Sequence, residues 1–319
     1  MNKETLIQVH NRIKPFIHKT PVLTSQLLDE VSGANLFFKC ENFQKMGAFK
    51  MRGATNAILC LSKEERDKGV VTHSSGNFAQ ALSLAAKQLG VKAYIVMPEN
   101  APRVKKEAVK GYQGYIIECE STPIAREEMA EKVKLDKGAT FIHPSNDDNV
   151  IYGQGTAAIE LFEEQPQLEY IFSPVGGGGL IAGTALAAKY FSDHCKVIGG
   201  EPFNVDDAYR SLKSGKIEFN ETTNTIADGL RTFLGDRNFP IIKKYVSEII
   251  RVEEREIIHA MKLMYERMKI VIEPSSAVAF AAVLREKEQF KNKKIGVIIS
   301  GGNVDVNNLP FNHKEMLIV

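Results

Sequence analysis

The chain of 319 residues has no tryptophan and only four cysteines, Cys40, Cys60, Cys119 and Cys195. The cysteines are widely spaced and form no C-x-x-C pair, so we interpret them as reduced thiols and not as a disulfide framework or a metal site. No segment approaches the roughly 20 consecutive apolar residues of a membrane span, and the N-terminus lacks the apolar core of a signal peptide. We therefore expect a cytoplasmic protein with no membrane partner.

An excess of charge of one sign is also missing. The sequence has 41 basic and 39 acidic residues, a formal net charge of +2, and no charged blocks. This pattern argues against a nucleic-acid partner. The content of hydrophobic residues, 44%, is enough for two packed domains or one large domain.

From about residue 68 onward, short β-branched runs alternate with helical stretches such as FAQALSLAAKQLG and GTAAIELFEEQ. The strand-like runs are VVTHS, KAYIVMP, YIIECE, TFIHP, YIFSPVG, KVIGGEP and KIGVIIS. This alternation indicates parallel strands joined by helical crossovers, which is an α/β fold. Ligands bind beyond the carboxyl ends of parallel strands, so the loops SSGNF, GGGGL and GGN are where we expect a site.

The loop with Gly176, Gly177, Gly178 and Gly179 lies between a strand and a helix that we expect to begin near Leu180. Glycines allow close approach of the backbone, and the amides of a helix N-terminus suit a phosphate. A dinucleotide is the alternative, because this loop fits G-x-G-x-x-A and Glu201 follows at the distance of a ribose-binding acid. An NAD(P)-dependent oxidoreductase therefore remains possible at this point.

Two further loops follow strands. Ser74, Ser75, Gly76 and Asn77 could simply cap a helix, but together they favour a nest of amides and hydroxyls that binds a substrate carboxylate. Ser300 comes directly after the last strand-like run. The glycines beside it are typical of a turn, whereas the position of Ser300 suits a contact with a ring nitrogen.

Lys50 stands between Phe49 and Met51 in the segment GAFKMRG. A lysine at a helix start is usually a solvated surface charge. Here the apolar neighbours predict desolvation, which lowers the pKa of the amine and makes it available for covalent chemistry with a carbonyl group.

The motifs FQKMGAFKMRGA, SSGN, GGGGLIAG, IADGLR, EPSSA and SGGNVD occur in this order, and the likeness that they carry extends from TPVLTS at Thr20 to Asp305. The sequence thereby resembles the serine racemase and threonine/serine dehydratase family of pyridoxal-phosphate (PLP) enzymes, with the tryptophan-synthase-β type of fold, known as fold type II. The resemblance implies two domains with parallel-rich twisted sheets flanked by helices. Residues 1–62 plus 148–319 would form the large PLP-binding domain, and residues 63–147 a small mobile domain.

The resemblance also implies roles for the residues above. Lys50 would hold the cofactor aldehyde covalently and Phe49 would pack by the ring. The glycine loop with Leu180 would bind the cofactor phosphate, Asn77 the ring hydroxyl and Ser300 the pyridine nitrogen. A serine at that nitrogen makes the ring a weaker electron sink than a carboxylate would.

The implied reaction is elimination or racemisation of a β-hydroxy amino acid such as serine, threonine or 3-hydroxyaspartate. Elimination gives a keto acid and ammonia. In racemisation Lys50 removes the Cα proton from one face and Ser75 returns a proton to the other. The family commonly has serine where this chain has Ala48 and histidine where it has Phe78, so the preferred substrate and the balance of the two activities stay open.

Glu201, the carbonyl of Val205 and Asp207 match the Mg²⁺ or Ca²⁺ site of the family, and hard oxygen ligands suit these ions. Acids at a helix start that favour the helix dipole are the alternative. We expect no ATP regulation, because Gln26 and Met46 depart from the pattern of the animal racemases. A homodimer is usual in the family, and a non-catalytic amino-acid-binding protein of the same fold is the third possibility.

Overall fold

A computed structural model of the chain describes residues 1–312. Its helices are α1 (Lys3–Ile13), α2 (Gln26–Ser32), α3 (Lys50–Leu59), α4 (Lys63–Lys68), α5 (Asn77–Leu89), α6 (Arg103–Gly111), α7 (Pro123–Lys137), α8 (Asp148–Glu164), α9 (Gly179–Phe191), α10 (Asp207–Ser214), α11 (Phe239–Tyr245), α12 (Glu254–Met268) and α13 (Pro274–Arg285). Its strands are β1 (Val22–Leu23), β2 (Asn35–Cys40), β3 (Val70–His73), β4 (Ala93–Pro98), β5 (Tyr115–Cys119), β6 (Thr140–Phe141), β7 (Tyr170–Pro174), β8 (Lys196–Pro202), β9 (Val246–Val252) and β10 (Lys294–Ile299).

The strands form two sheets. The larger has the order β1-β2-β10-β7-β8-β9 and the smaller the order β5-β4-β3-β6. Neighbouring strands are parallel throughout, except that β1 pairs with β2 antiparallel. The α/β architecture predicted from the sequence is confirmed. Among the described residues, no helix is long and apolar enough to cross a membrane.

All seven strand-like runs contain a strand, so the alternating pattern located this part of the fold correctly. The pattern missed the two-residue strand β1 as well as β2 and β9. The sequence of β2, NLFFKC, carries Lys39 in a buried position, and β9 mixes charged with β-branched residues. The helical run predicted from residue 155 was too short, since α8 begins at Asp148, where the side chain of Asp147 caps it through the Val150 N–H.

Helix α3 lies between α5 and α8 and carries Lys50 as its first residue. The close approach to α8 depends on glycines. A Cβ on Gly153 would lie 2.7 Å from the Arg52 carbonyl oxygen, and a Cβ on Gly53 would lie 2.7 Å from the Val150 carbonyl oxygen. On the other side, the apolar face of α3 packs with α5 in one hydrophobic cluster. Helix α3 is therefore packed between α5, which lies on the smaller sheet, and α8, which lies on the larger sheet.

A buried ionic cluster that the sequence did not predict fixes the first turn of α3. Arg52 donates from Nε to Glu41 at 2.7 Å and from Nη1 to Glu160 at 2.8 Å, and Lys39 Nζ lies 2.7 Å from Glu160. These side chains are at most 2% exposed. Because an unpaired buried charge is costly, the cluster holds α3 in one position against β2 and α8.

Candidate active site

Hydrogen bonds draw the predicted loops together around Lys50. The Phe49 N–H donates to the Ser300 carbonyl at 3.0 Å, which joins α3 to the end of β10. Lys50 Nζ donates to the Pro144 carbonyl at 2.8 Å. Pro144 precedes Ser145, which contacts the glycine loop. The structure thus brings Phe49, Lys50, the glycine loop and Ser300 into one region.

The Lys50 amine lies between two aromatic rings. Its Nζ is 5.0 Å from the ring centre of Phe49 and 5.7 Å from that of Phe78. Burial lowers the pKa of Lys50 to about 8, while the charge of Glu273 raises it. At pH 7 about a tenth of the amine is then neutral, roughly a few hundredfold more than for an unburied lysine, and the neutral form is the one that a nucleophile or base requires.

The glycine loop is close-packed before any ligand enters. Gly178 has φ +79°, a conformation that favours glycine, and α9 begins at the next residue. A Cβ on Gly177 would lie 2.4 Å from Ser145 Oγ, and a Cβ on Gly179 would lie 2.9 Å from the Ser145 carbonyl oxygen. Leu180, the second residue of α9, is 5% exposed. The loop presents the N-terminal amides of α9, where a phosphate binds favourably.

The loop Ser74–Asn77 lies at the end of β3 and is half-buried. The Ser74 N–H bonds the Val96 carbonyl at 3.2 Å, and the Gly76 N–H bonds Ser74 Oγ at 3.4 Å. A Cβ on Gly76 would meet no described atom within 4 Å. Ser75 lies between these residues, so the predicted carboxylate nest is open for a small ligand.

Ser300 is 3% exposed, and its hydroxyl lies 2.9 Å from Ser276 Oγ. Ser276 also accepts from the Gly301 N–H at 2.7 Å and donates to the Gly301 carbonyl at 2.7 Å. The sequence reasoning assigned Ser276 no role, although it stands in the motif EPSSA. Ser276 therefore holds the Ser300 hydroxyl at the carboxyl end of β10.

The same motif contains Glu273, a second residue that sequence reasoning missed. Both of its carboxylate oxygens accept from Asn77 Nδ2, at 2.9 and 3.0 Å. Asn77 Oδ1 accepts from Asn303 Nδ2 at 2.8 Å. Burial raises the pKa of Glu273 to about 7, and the bond from Asn77 lowers it. These bonds connect the loop after β3 with the loop after β10.

His143 is a third missed residue. Its Nδ1 accepts from the Ser145 and Asn146 N–H groups at 3.1 and 2.8 Å, which leaves the ring hydrogen on Nε2. Burial, followed by the nearby His73 and Lys50, lowers the pKa of His143 to about 4. The neutral ring therefore fixes the turn that carries Pro144 and Ser145 to Lys50 and the glycine loop.

The predicted metal ligands lie close together after β8, where the Ala208 N–H donates to Glu201 and the Leu234 N–H donates to Asp207. Glu201 and Asp207 are both fully buried, and Val205 lies in the turn Phe203–Val205 between them. Burial raises the pKa of Asp207 to about 6, and burial followed by the charge of Asp207 raises that of Glu201. Adjacent carboxylates that are costly to ionise fit a hard divalent cation. The described residues contain no cluster of three or more His, Cys, Asp or Glu side chains, so any further ligands would have to be carbonyl oxygens or water.

The dinucleotide alternative fails on Glu201. Both of its carboxylate oxygens accept backbone N–H groups, from Ala208 at 3.0 Å and from Tyr209 at 2.8 Å, and the side chain is fully buried. A ribose cannot reach this acid.

The site combines parallel sheets, a desolvated lysine at the start of α3 and a glycine loop suited to a phosphate. These are the features of an enzyme that holds a phosphorylated cofactor through a lysine. The family model described as pyridoxal-phosphate dependent enzyme matches residues 13–301. The chain belongs to this family of PLP-dependent enzymes.

Individual relatives are similar along nearly the whole chain. The serine racemase of Arabidopsis thaliana is 51% identical, with 95% of this chain and 93% of the relative covered. The beta-hydroxyaspartate dehydratase of Paracoccus denitrificans is 48% identical, with 97% and 98% covered. The crystal structure of serine racemase from Dictyostelium discoideum has a TM-score of 0.92 at 51% identity, with 96% of this chain and 99% of that chain covered.

Proposed function

We propose that this chain catalyses PLP-dependent β-elimination or racemisation of a β-hydroxy amino acid, with serine, threonine and 3-hydroxyaspartate as the candidate substrates. The observation that carries the proposal is the Lys50 amine, which is desolvated between Phe49 and Phe78 where the three loops meet. The names of the serine racemase and beta-hydroxyaspartate dehydratase relatives support the substrate class.

The residues would divide the work as follows. When bound, PLP supplies an electron sink for breaking bonds at the substrate Cα. The glycine loop and the N-terminal amides of α9 would hold the phosphate, Ser300 the ring nitrogen and Asn77 the ring hydroxyl. Lys50 Nζ would hold the cofactor and then take the Cα proton, because its lowered pKa makes the neutral amine accessible.

The loop Ser74–Asn77 would bind the substrate carboxylate through its N–H groups and hydroxyls. Ser75 Oγ would return a proton to the face opposite Lys50, which inverts the substrate. Loss of the β-hydroxyl instead would lead to a keto acid and ammonia. Ala48 and Phe78 are fully or nearly fully buried in one apolar cluster, so this side of Lys50 carries no polar group from these two positions.

A product assay tests the proposal. Purified protein with PLP is incubated with serine, threonine and the diastereomers of 3-hydroxyaspartate, and keto acid and both enantiomers are measured together. We expect keto acid, the opposite enantiomer or both from at least one substrate. Protein that takes up PLP but converts none of them would contradict the proposal.

We further propose that Glu201, the Val205 carbonyl and Asp207 hold Mg²⁺ or Ca²⁺, which would stabilise the fold and take no part in the chemistry. The adjacent buried carboxylates support this site. A cation that binds only the folded state raises the free energy of unfolding by an amount that grows with the logarithm of its concentration above the Kd. We expect EDTA to lower the thermal unfolding temperature and Ca²⁺ to restore it, whereas Glu201→Gln protein should respond to neither. An unchanged unfolding temperature in EDTA would argue against the site.

The predicted domain division, a cytoplasmic location and a homodimer also belong to this proposal. Residues 63–147 contain the whole smaller sheet, which supports a small domain able to move. Lys105, in residues 63–147, forms a salt bridge with Asp228, in residues 148–319, with its Nζ 2.8 Å from the carboxylate. Phe43 and Val271 are apolar side chains that are 46% and 48% exposed, and Asn42 Nδ2 donates to the Val271 carbonyl at 3.2 Å, which supports an interface with a second copy of the chain. Light scattering of the purified protein tests the dimer.

A further inference from the structure

Glu273 is a buried acid beside the candidate site to which the proposed mechanism gives no role. Its side chain is 4% exposed, and it stands immediately before α13. Its backbone N–H donates to the Gly301 carbonyl at 3.1 Å. The carboxylate is thereby held against the loop that carries Ser300, and it faces Asn77 from there.

Both the nitrogen and the oxygen of the Asn77 side-chain amide form hydrogen bonds. Its Nδ2 donates to both oxygens of Glu273, and its Oδ1 accepts from Asn303 Nδ2, which also donates to the Met46 carbonyl at 2.9 Å. The Met46 carbonyl can only accept, so Asn303 presents Nδ2 and donates to Asn77 Oδ1, while Asn77 Nδ2 faces the two oxygens of Glu273. Only one orientation of Asn77 satisfies both partners. In that orientation Nδ2 retains one free hydrogen.

We infer that Glu273 is a positioning residue that orients the Asn77 amide so that its remaining N–H is available to the cofactor ring oxygen. The inference rests on the proposed function, in which Asn77 binds that oxygen. The bond that Asn77 Oδ1 accepts from Asn303 polarises the amide and strengthens its N–H groups as donors. Without Glu273, the amide could turn and present its oxygen, which would repel the ring oxygen.

Several charged groups face Glu273. Asp228 raises its pKa, Lys105 lowers it, and Glu273 in turn raises the pKa of Lys50. Replacing Glu273 therefore changes the local charge as well as the hydrogen bond. A test has to separate these effects, and two variants with the same charge can do so.

The experiment compares Glu273→Leu with Glu273→Gln in the full chain. Both variants lose the charge, but glutamine can still accept from Asn77 Nδ2 and leucine cannot. PLP affinity is measured by equilibrium dialysis and the absorbance spectrum of bound PLP is recorded. We expect leucine to weaken PLP binding about tenfold and alter the spectrum, and glutamine to stay within about threefold of the wild type.

Glu254→Gln is the matched control. Glu254 also stands at the start of a helix, where it accepts from the Ile226 N–H at 2.9 Å. Its replacement should leave PLP affinity and the spectrum unchanged. Circular dichroism of every variant without PLP verifies folding.

Asn303→Asp tests the same orientation from the other end, and it decides the matter if Glu273→Leu does not fold. Aspartate cannot donate to Asn77 Oδ1, so we expect about tenfold weaker PLP binding here too. Equal effects of leucine and glutamine at position 273, or normal PLP binding by Asn303→Asp, would overturn the inference. A wild type that binds no PLP would instead overturn the proposed function, and this role with it.

Discussion

The two loops proposed to hold the cofactor phosphate and the substrate carboxylate differ in how tightly the protein packs around them. A Cβ on Gly177 would lie 2.4 Å from Ser145 Oγ, and one on Gly178 would lie 2.7 Å from Asn238 Oδ1, whereas one on Gly76 would meet no described atom within 4 Å. The phosphate side is therefore formed by packing in advance. The substrate side is open, so its final arrangement depends on the ligand. Lys50 lies between the two, with its Nζ 2.8 Å from the Pro144 carbonyl and 5.7 Å from the ring centre of Phe78.

Lys50→Ala should have the largest effect, because it removes the amine proposed to hold the cofactor and to take the Cα proton of the substrate. We expect activity to fall by about a thousandfold or more. Wild-type protein with PLP should be yellow and lose its colour with borohydride, which fixes the cofactor to Lys50, and mass spectrometry should locate the adduct on the peptide containing Lys50. Full activity in the alanine variant would refute the assigned role.

Ser75→Ala changes only the loop proposed to bind the substrate carboxylate. We expect racemisation of serine to fall by about a hundredfold or more, since proton return on one face is lost, while elimination from the L-isomer stays within a few-fold. PLP affinity should not change, because the glycine loop is intact. Keto acid and D-serine measured in one assay provide the comparison. Equal losses of both products would show that Lys50 and Ser75 do not divide the two faces.

Gly179→Ala with Gly76→Ala as its matched control tests the packing difference directly. A Cβ at 179 would press on the Ser145 backbone, so we expect a loss of about 1–3 kcal/mol in the free energy of unfolding and weaker PLP binding. Gly76 has φ −118°, which any residue adopts, and its alanine variant should stay within about 0.5 kcal/mol. Urea unfolding and dialysis against PLP measure both. A larger loss at position 76 would reverse the comparison.

The sequence predicted the packed side better than the contacts between the loops. Gly176 to Gly179, Lys50 and Ser300 each stand in a short motif whose chemistry is local. Glu273 was missed because its partner Asn77 is 196 positions away, and its role depends on that contact. The strand β2 was missed for a similar reason, since Lys39 looks unsuited to a buried strand until Glu160 pairs with it. Only the folded chain brings these charges together.

The smallest expected effect is the pH dependence of the rate at which Lys50, between the two loops, reacts with PLP. Its pKa is lowered to about 8 because burial disfavours the charged amine, although Glu273 opposes this. Only the neutral amine attacks an aldehyde, so the rate constant for PLP uptake by PLP-free protein should rise about eightfold from pH 6.5 to 7.5 and level off above about pH 9.

An unburied amine such as N-acetyl-lysine, measured in the same buffers, corrects for the titration of PLP itself. It should continue to gain rate up to about pH 10, because its pKa is not lowered by burial. Stopped-flow absorbance follows both reactions. A protein rate that keeps rising with the model amine would mean that the pocket between Phe49 and Phe78 does not lower the pKa of Lys50.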